Sequence, residues 1–457
     1  MLDKLRHIYF LGIGGIGMSA LARYFISRGV RISGYDKTPT ELTDQLIAEG
    51  MSIHFDDDVA VVPGDIDLVV LTPAIPADHK EWKHLREKGI PIKKRAEVLG
   101  MISRDSVCLA VAGTHGKTTT TTMLAHLLRS SGVNCTAFLG GIAANYRTNY
   151  LQGDNKIVVV EADEYDRSFL QLSPSGAILT AIDADHLDIY GDHDAVKNSY
   201  LEFTGKVKNG GHLVIKDGID FSLNEETVKT VNVTRYGIEN GAATSGNVHV
   251  SNGAFVFNYK NTKKSIDDLH LSMPGRHNVE NATAAITLAL EFGATTEGIK
   301  TGIQNFLGVH RRFEFAVRTE KLVVIDDYAH HPEELKAAIS AAREMYPGKR
   351  IAGVFQPHLF SRTRDFADQF ARSLELLDDV VLLDIYPARE KPMPGVTSAM
   401  LLEKINRDSK RLSTKSDLVA TISSMNFDVL LMMGAGDIDQ LVKPVADALT
   451  EKGGWND

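Results

Sequence analysis

The run VCLAVAGTHGKTTTTTMLAHLL, residues 107–128, constrains the chain more than any other segment. Its first six residues are apolar and read as a buried strand. GTHGKTT then turns the chain, and a threonine-rich stretch of helical length follows. A glycine loop that leaves a buried strand and opens a helix belongs to parallel α/β architecture, where helices cover the faces of the sheet. The loop carries chemistry as well as a turn. Its backbone amides can cradle a phosphate chain, Lys117 can reach the β- and γ-phosphates of ATP, and Thr118 can offer its hydroxyl to Mg²⁺. Val111 stands where the strict pattern has its first glycine, and Gly113 takes over nearby. Gly113, Thr114, His115, Gly116, Lys117, Thr118 and Thr119 are therefore the candidate ATP-binding residues.

A second glycine loop lies upstream. Gly12, Gly14 and Gly17 form G-x-G-x-x-G between the strand-like HIYFLGI and an amphipathic helix through Ser27. Missing side chains there let backbone amides and a helix N-terminus approach a diphosphate, and Asp36 closes the next strand where a ribose hydroxyl would sit. Alone, this pattern fits a nicotinamide dinucleotide, another nucleotide, or close packing. The ATP loop downstream decides among them: two phosphate loops imply two nucleotide-like ligands, so the first holds the diphosphate of a nucleotide-linked substrate.

The remaining pattern divides 457 residues into three α/β units, as expected at roughly 100–200 residues per domain. The expected fold is an N-terminal Rossmann-like domain (1–103), a central P-loop mononucleotide-binding domain with a β annex (104–311), and a C-terminal Rossmann-like domain (312–457). The annex, about residues 210–272, alternates short strands with turns and needs no helix. NVENATAAITLALEFG reads as a helix capped near Asn278, and the third unit begins with KLVVIDDYAHHP. A net charge of −9 without a basic stripe argues against nucleic-acid or anionic-membrane partners. No apolar run reaches the roughly 18–20 residues of a membrane span, and a strand-like segment follows almost directly on the N-terminus, so a cytoplasmic protein is expected. The two cysteines, Cys108 and Cys135, are too few for a disulfide framework and read as core filler.

Acidic and imidazole groups cluster after the ATP loop. Glu161 ends a buried-type strand in KIVVVEADE, and His186 follows the next strand in DADHLD. Carboxylate and imidazole at neighbouring strand ends suit Mg²⁺ bridging ATP and an acceptor carboxylate. Asp163, Asp183 and Asp185 read as helix caps, and His79, His84 and His193 as solvated surface.

These runs, together with FLGIGGIGMSALA, AGTHGKTTTT, VEADEYDRSFL, DADHLDIY, PGRHNVENATAA, HRRFE, DDYAHHPEE and FQPHLFSRTRDF, occur in one order from residue 10 to beyond 366. In them the chain resembles the Mur ligases. The resemblance implies three domains that bind a UDP-sugar, ATP and an incoming amino acid, and a reaction yielding ADP and phosphate. DADHLDIY and FQPHLFSRTRDF favour the member that joins L-alanine to UDP-N-acetylmuramate over the member that recycles a whole tripeptide or a folylpolyglutamate synthase. A nicotinamide-dependent Rossmann oxidoreductase leaves the ATP loop unexplained, and a P-loop switch leaves the first loop and DDYAHHP unexplained.

The resemblance also implies residue roles. Gly12, Gly14, Gly15, Gly17, Asp36 and Thr72 would serve the UDP-sugar, and Thr118, Glu161 and His186 the metal. Asn278 and Asn281 resemble adenine-side contacts. One of Arg311 and Arg312 would reach the γ-phosphate, and one of Asp326 and Asp327 the ribose. Tyr328, His330, His358 and Arg362 resemble the contacts to alanine and the nascent bond, with His330 or His358 available to accept the amine's proton. Alternatively, His330 and His331 cap a helix before Pro332. Two departures stand out. Leu359 replaces an arginine that family members often carry after the histidine of FQPH, and Tyr200 falls near the register of the carbamylated lysine of sister ligases, so none is expected here.

Overall fold

The apolar runs form three sheets in a computed structural model that describes residues 2–453 except 155, 184–189, 191, 221 and 389; of residues 3, 452 and 453 it describes the backbone alone. The first sheet holds β1 (His7–Leu11), β2 (Arg31–Tyr35), β3 (Ser52–His54), β4 (Leu68–Leu71) and β5 (Ile92–Lys94) in the order β3-β2-β1-β4-β5, with every pair parallel. β1 is buried along its whole length, as a strand covered on both faces must be. The order reverses on either side of β1, so the glycine loop after it opens at the crevice where parallel sheets bind ligands.

The second sheet contains β6 (Val107–Ala112), β7 (Thr136–Ala143), β8 (Thr148–Leu151), β9 (Ile157–Glu161), β10 (Gly176–Leu179), β11 (His212–Lys216), β12 (Asn232–Ile238), β13 (Ala243–Ser251), β14 (Ala254–Lys260) and β15 (Ser265–Leu271). Its order is β15-β14-β13-β12-β11-β10-β6-β9-β7-β8. β6 therefore lies between β10 and β9, parallel to both, so residues leaving those two strands flank the glycine loop after β6. The annex is present as β11–β15, but it includes a helix, Glu225–Thr230, contrary to expectation. Thr227 anchors that helix by burying its side chain and donating its hydroxyl to Asn224 at 2.9 Å.

The third sheet runs β16 (Glu314–Arg318), β17 (Val323–Asp327), β18 (Ile351–Phe355), β19 (Asp379–Leu382), β20 (Lys410–Leu412) and β21 (Val429–Met433), in the order β16-β17-β21-β18-β19-β20. In this sheet, among the described residues, only the edge strand β16, which the sequence pattern did not single out, is antiparallel to its neighbour. The helix expected to be capped near Asn278 starts at Arg276, so Asn278 lies in its first turn and donates Nδ2–H to the Pro274 carbonyl at 2.5 Å.

The chain forms two compact units: residues up to Gly246 with Asn258–Leu269 and Glu280–Leu307, and Asn247–Phe257 with His270–Val279 and the chain from Gly308. Within the first unit, the first sheet is tied to the second by Arg23, whose buried guanidinium meets Asn149 on β8. Cys108 and Cys135 are both fully buried, and burial raises their thiol pKa values to about 12 and about 11.

Candidate functional site

The loop of residues 113–119, expected to bind ATP, takes its shape from two left-handed glycines. Gly113 (φ +134°) passes so close to β10's exit that a Cβ would lie 2.8 Å from the Ala181 nitrogen. Gly116 (φ +78°) caps the helix Lys117–Ser130. Thr114 N–H donates to the Ala181 carbonyl at 3.1 Å, and the Thr114 hydroxyl accepts from Asp183 N–H at 3.1 Å. Asp183 also lies 3.5 Å from His115 Nε2. Asp183 thus fastens the loop to the strand beside it, in addition to any capping. Thr118 and Thr119 are buried in the helix's first turn.

On the other side, β9 places Glu161 opposite Val111. The Glu161 carboxylate packs directly against Gly140, where a Cβ would clash. Glu164, three residues on, is 2 % exposed and accepts from Lys117 Nζ at 2.9 Å. Burial alone would lower the Lys117 pKa, but the field of Glu164, Glu161 and Asp163 outweighs it and raises the value, so the ammonium stays charged. A hydroxyl and a carboxylate are oxygen donors of the kind Mg²⁺ takes, and Mg²⁺ beside phosphates needs few protein ligands, so Thr118 and Glu161 fit it. Among the described residues no group of three His, Cys, Asp or Glu could hold a metal by itself. His186 and Asp185 lie outside the described residues.

The first loop is built differently. Gly12 has φ +86°. Thr72, after β4, packs its methyl group against Gly12. Gly14 N–H donates to Asp36 Oδ2 at 2.7 Å, so the carboxylate expected at the ribose also braces the loop, and Asp36 Oδ1 accepts from Thr38 N–H at 3.3 Å. Gly15 is the helix N-cap without a side-chain cap. A Cβ on Gly17 would lie 2.8 Å from Nη1 of Arg95, whose Nη2 is 3.2 Å from Asp163. Arg95 and Glu164 were not singled out from the sequence. Their partners are 78 and 47 residues away in the chain, and only the position of Glu164 in VEADE, three residues after Glu161, could have marked it.

His79 corrects an expectation. It is buried, with its ring edge-on to Tyr35 at 4.6 Å and Nδ1 3.2 Å from Asp57, so it is not solvated surface. His193 is exposed and His84 partly buried. Tyr200 is fully buried against Phe169 at 5.3 Å.

In the second unit, candidate residues gather where β17, β21 and β18 end. Arg311 (φ +60°) donates to the Gly434 carbonyl at 2.7 Å and lies 3.3 Å from Asp439 and 3.6 Å from Asp326. Arg312 has a looser partner, Glu334 at 3.9 Å; both guanidinium carbons stand 5.0 Å from the Tyr328 ring centroid. Asp327 accepts from the Phe313 and Ala329 amides at 2.7 and 2.8 Å. Among the described residues, none donates a hydrogen bond to the buried Asp326 Oδ1. Burial raises the pKa values of Asp326 to about 7 and Asp327 to about 6.

His330 Nδ1 lies 3.0 Å from the Tyr328 carbonyl, and burial lowers its pKa. A neutral ring donating Nδ1–H there leaves Nε2 as a proton acceptor. The His358 ring is 5.9 Å from that of His330 and stacks on Tyr386 at 5.7 Å. His331, not His330, caps the helix Pro332–Met345, accepting from Glu333 N–H at 3.4 Å. Arg362 is buried in the short helix Phe360–Asp365, whose N-cap is Leu359 at φ +71°.

Three family models match the chain in sequence order: "Mur ligase family, catalytic domain" over residues 7–106, "Mur ligase middle domain" over 111–289, and "Mur ligase, glutamate ligase domain" over 311–436. The UDP-N-acetylmuramate–L-alanine ligase of Flavobacterium psychrophilum is 46% identical over 99% of this chain and 100% of its own. That of Porphyromonas gingivalis is 49% identical over 97% of this chain and 99% of its own. The crystal structure of the UDP-N-acetylmuramate–alanine ligase of Thermotoga maritima has a TM-score of 0.81 at 30% identity, covering 98% of this chain and 99% of that one.

Proposed function

The chain belongs to the Mur ligase family, and on that premise we propose that it joins L-alanine to the carboxylate of UDP-N-acetylmuramate at the expense of ATP, in peptidoglycan precursor synthesis. The observation that carries the reading is the ATP loop: a charged lysine at the start of a helix, flanked by carboxylates at the exit of the next strand.

A carboxylate is a poor electrophile until its oxygen is phosphorylated. Its oxygen attacks the γ-phosphorus, the bond to ADP breaks, and the acyl phosphate formed is opened by the alanine amine with loss of phosphate. Lys117 neutralises charge on the transferring phosphoryl group. Thr118 and Glu161 would hold Mg²⁺, which when bound supplies further neutralisation of the phosphate oxygens. We assign the phosphate-facing role to Arg312, because Arg311 is committed to Gly434, Asp439 and Asp326. We assign ribose recognition to Asp326, because both oxygens of Asp327 are occupied by backbone amides. His330 Nε2 receives the amine's proton, and Arg362 grips the alanine carboxylate. The first loop takes the UDP diphosphate, Asn278 and Asn281 the adenine side, and Tyr328 and His358 flank the alanine. We take the three domains to divide after residues 103 and 311. No helix among the described residues is long and apolar enough to cross a membrane, and we place the reaction in the cytoplasm with its nucleotide substrates.

The test is phosphate release with ATP, UDP-N-acetylmuramate and L-alanine. Release that requires both co-substrates supports the ligase. Release with a tripeptide but not with alanine points to the recycling reaction, and release with neither co-substrate overturns the proposal.

A further inference from the structure

Lys117 has three N–H donors, and the protein supplies three acceptors: the Gly113 carbonyl at 2.7 Å, the Thr114 carbonyl at 3.4 Å and Glu164 Oε1 at 2.9 Å. Two belong to the loop's own backbone. The third is a buried carboxylate on a fixed backbone, since the Glu164 carbonyl accepts from the Tyr190 hydroxyl at 2.6 Å and from Arg167 N–H at 2.9 Å. A phosphate-loop lysine exists to meet anionic β- and γ-phosphate oxygens. Here an anionic oxygen of the protein already sits at that ammonium.

We infer that Glu164 is a built-in competitor of ATP: its carboxylate pairs with the Lys117 ammonium that the phosphates need, and nucleotide binding exchanges the Lys117–Glu164 ion pair for a Lys117–phosphate pair. The inference rests on the assignment of this loop to ATP. An ammonium whose three donors are committed must give one up to gain a phosphate oxygen. The two carbonyls are part of the fold that aims the loop amides, whereas the carboxylate shares the phosphates' sign and is repelled by them. The exchange uncovers a carboxylate beside Glu161 and Asp163, so part of the phosphate-binding energy is cancelled and the affinity for ADP, the product, is held down with that for ATP.

Calorimetry on the full chain with ATP and Mg²⁺, with ADP, and with AMP tests this. Glu164→Gln keeps an oxygen for Lys117 and removes the charge. With that charge-assisted pair no longer there to be displaced, the variant should tighten ATP and ADP about tenfold and leave AMP, which lacks the β- and γ-phosphates, within about twofold. In a Lys117→Ala background there is no ion pair to give up and only the like-charge repulsion is relieved, so the same exchange should tighten ATP much less than it does in the parent. Unchanged or weaker ATP binding by Glu164→Gln, equal tightening of AMP, or a gain that is undiminished without Lys117 each overturns the inference. Equal ATP binding by the parent and Lys117→Ala proteins overturns the ATP-loop assignment itself. Undiminished UDP-N-acetylmuramate binding by each variant verifies its fold.

Discussion

Asn281 Oδ1 stands so close to Gly116 that a Cβ there would approach it to 2.7 Å. Gly116 also has φ +78°, a conformation that costs a residue with a Cβ roughly 1–2 kcal/mol. Gly116→Ala therefore pays twice, in backbone strain and in displacement of a side chain assigned to the adenine. ATP affinity should fall at least about tenfold, since about 1.4 kcal/mol suffices for that, while UDP-N-acetylmuramate affinity holds. Calorimetry with each ligand checks it, and unchanged ATP affinity would mean that the loop adopts another shape when occupied.

Lys117→Ala should leave the fold intact and reduce turnover by roughly 10²–10³, the usual cost of removing a preorganised donor from a site of developing charge. The measurement is phosphate release at saturating ATP, Mg²⁺ and both co-substrates. Retention of more than about a tenth of the parent rate contradicts the role assigned to the ammonium.

What was legible in the sequence was chemistry at fixed spacing. Gly113 to Thr119 and Gly12 to Gly17 each announce a strand, a turn and a helix, because only that sequence of elements aims backbone amides at a phosphate. Apolar runs such as VVIDD and VLLMM likewise announce buried parallel strands. Less legible were strands whose residues serve other needs. β7 contains Gly140 and Gly141, poor strand formers, and Gly140 is required where the Glu161 carboxylate packs. The helix Glu225–Thr230, at six residues, is too short for a helical period to register. His79 looks solvated among charged neighbours and is buried because Tyr35, at the end of β2, and Asp57, in the loop after β3, come to it from elsewhere in the chain. Arg95 over Gly17 and Glu164 on Lys117 escaped for the same reason: long-range pairing leaves no local periodicity.

Arg23 should matter for stability and not for chemistry. Its guanidinium is buried against Asn149 and lies 2.7 Å from Glu49, while Asn149 Nδ2 donates to the Ile16 carbonyl and Ser19 hydroxyl at 2.5 and 2.8 Å. Arg23→Ala leaves the buried Asn149 Oδ1 without that donor, at a cost of about 2 kcal/mol. Urea unfolding should show the loss, with the KM for ATP unchanged. An unaltered unfolding midpoint would mean that water replaces the guanidinium without penalty.

Asp326 predicts a pH-dependent stability. Burial is the main cause of its raised pKa, with Asp327, Glu314 and Asp439 adding to it and Arg311 opposing it. A carboxyl group that titrates at about 7 in the folded protein and 3.8 in the reference state binds more protons folded than unfolded between those values. Its contribution to stability therefore falls as pH rises through that window, and the full penalty is present above about 7. Asp326→Asn removes the penalty. Its melting temperature relative to the parent should climb steadily from about pH 4 to about pH 8, and a constant difference across that range would refute the burial argument.

Alanine offers one methyl group, a carboxylate and a nucleophilic nitrogen. One methyl in a small pocket distinguishes partners by only roughly 1–3 kcal/mol, so glycine and serine should be slow alternative substrates. The carboxylate is the stronger handle, because a guanidinium can hold it with two charge-assisted hydrogen bonds. Where an arginine could have stood, Leu359 occupies a left-handed N-cap at φ +71°, and the buried Arg362 lies three residues along the same short helix. Arg362→Ala should accordingly raise the KM for alanine at least about tenfold, equivalent to losing one charge-assisted contact, and leave that for ATP nearly unchanged. Leu359→Arg in the parent should lower the alanine KM if the helix presents both positions to the substrate. An unaltered alanine KM in Arg362→Ala would move the carboxylate site to Arg364, whose guanidinium is exposed and pairs with Asp365 at 2.7 Å.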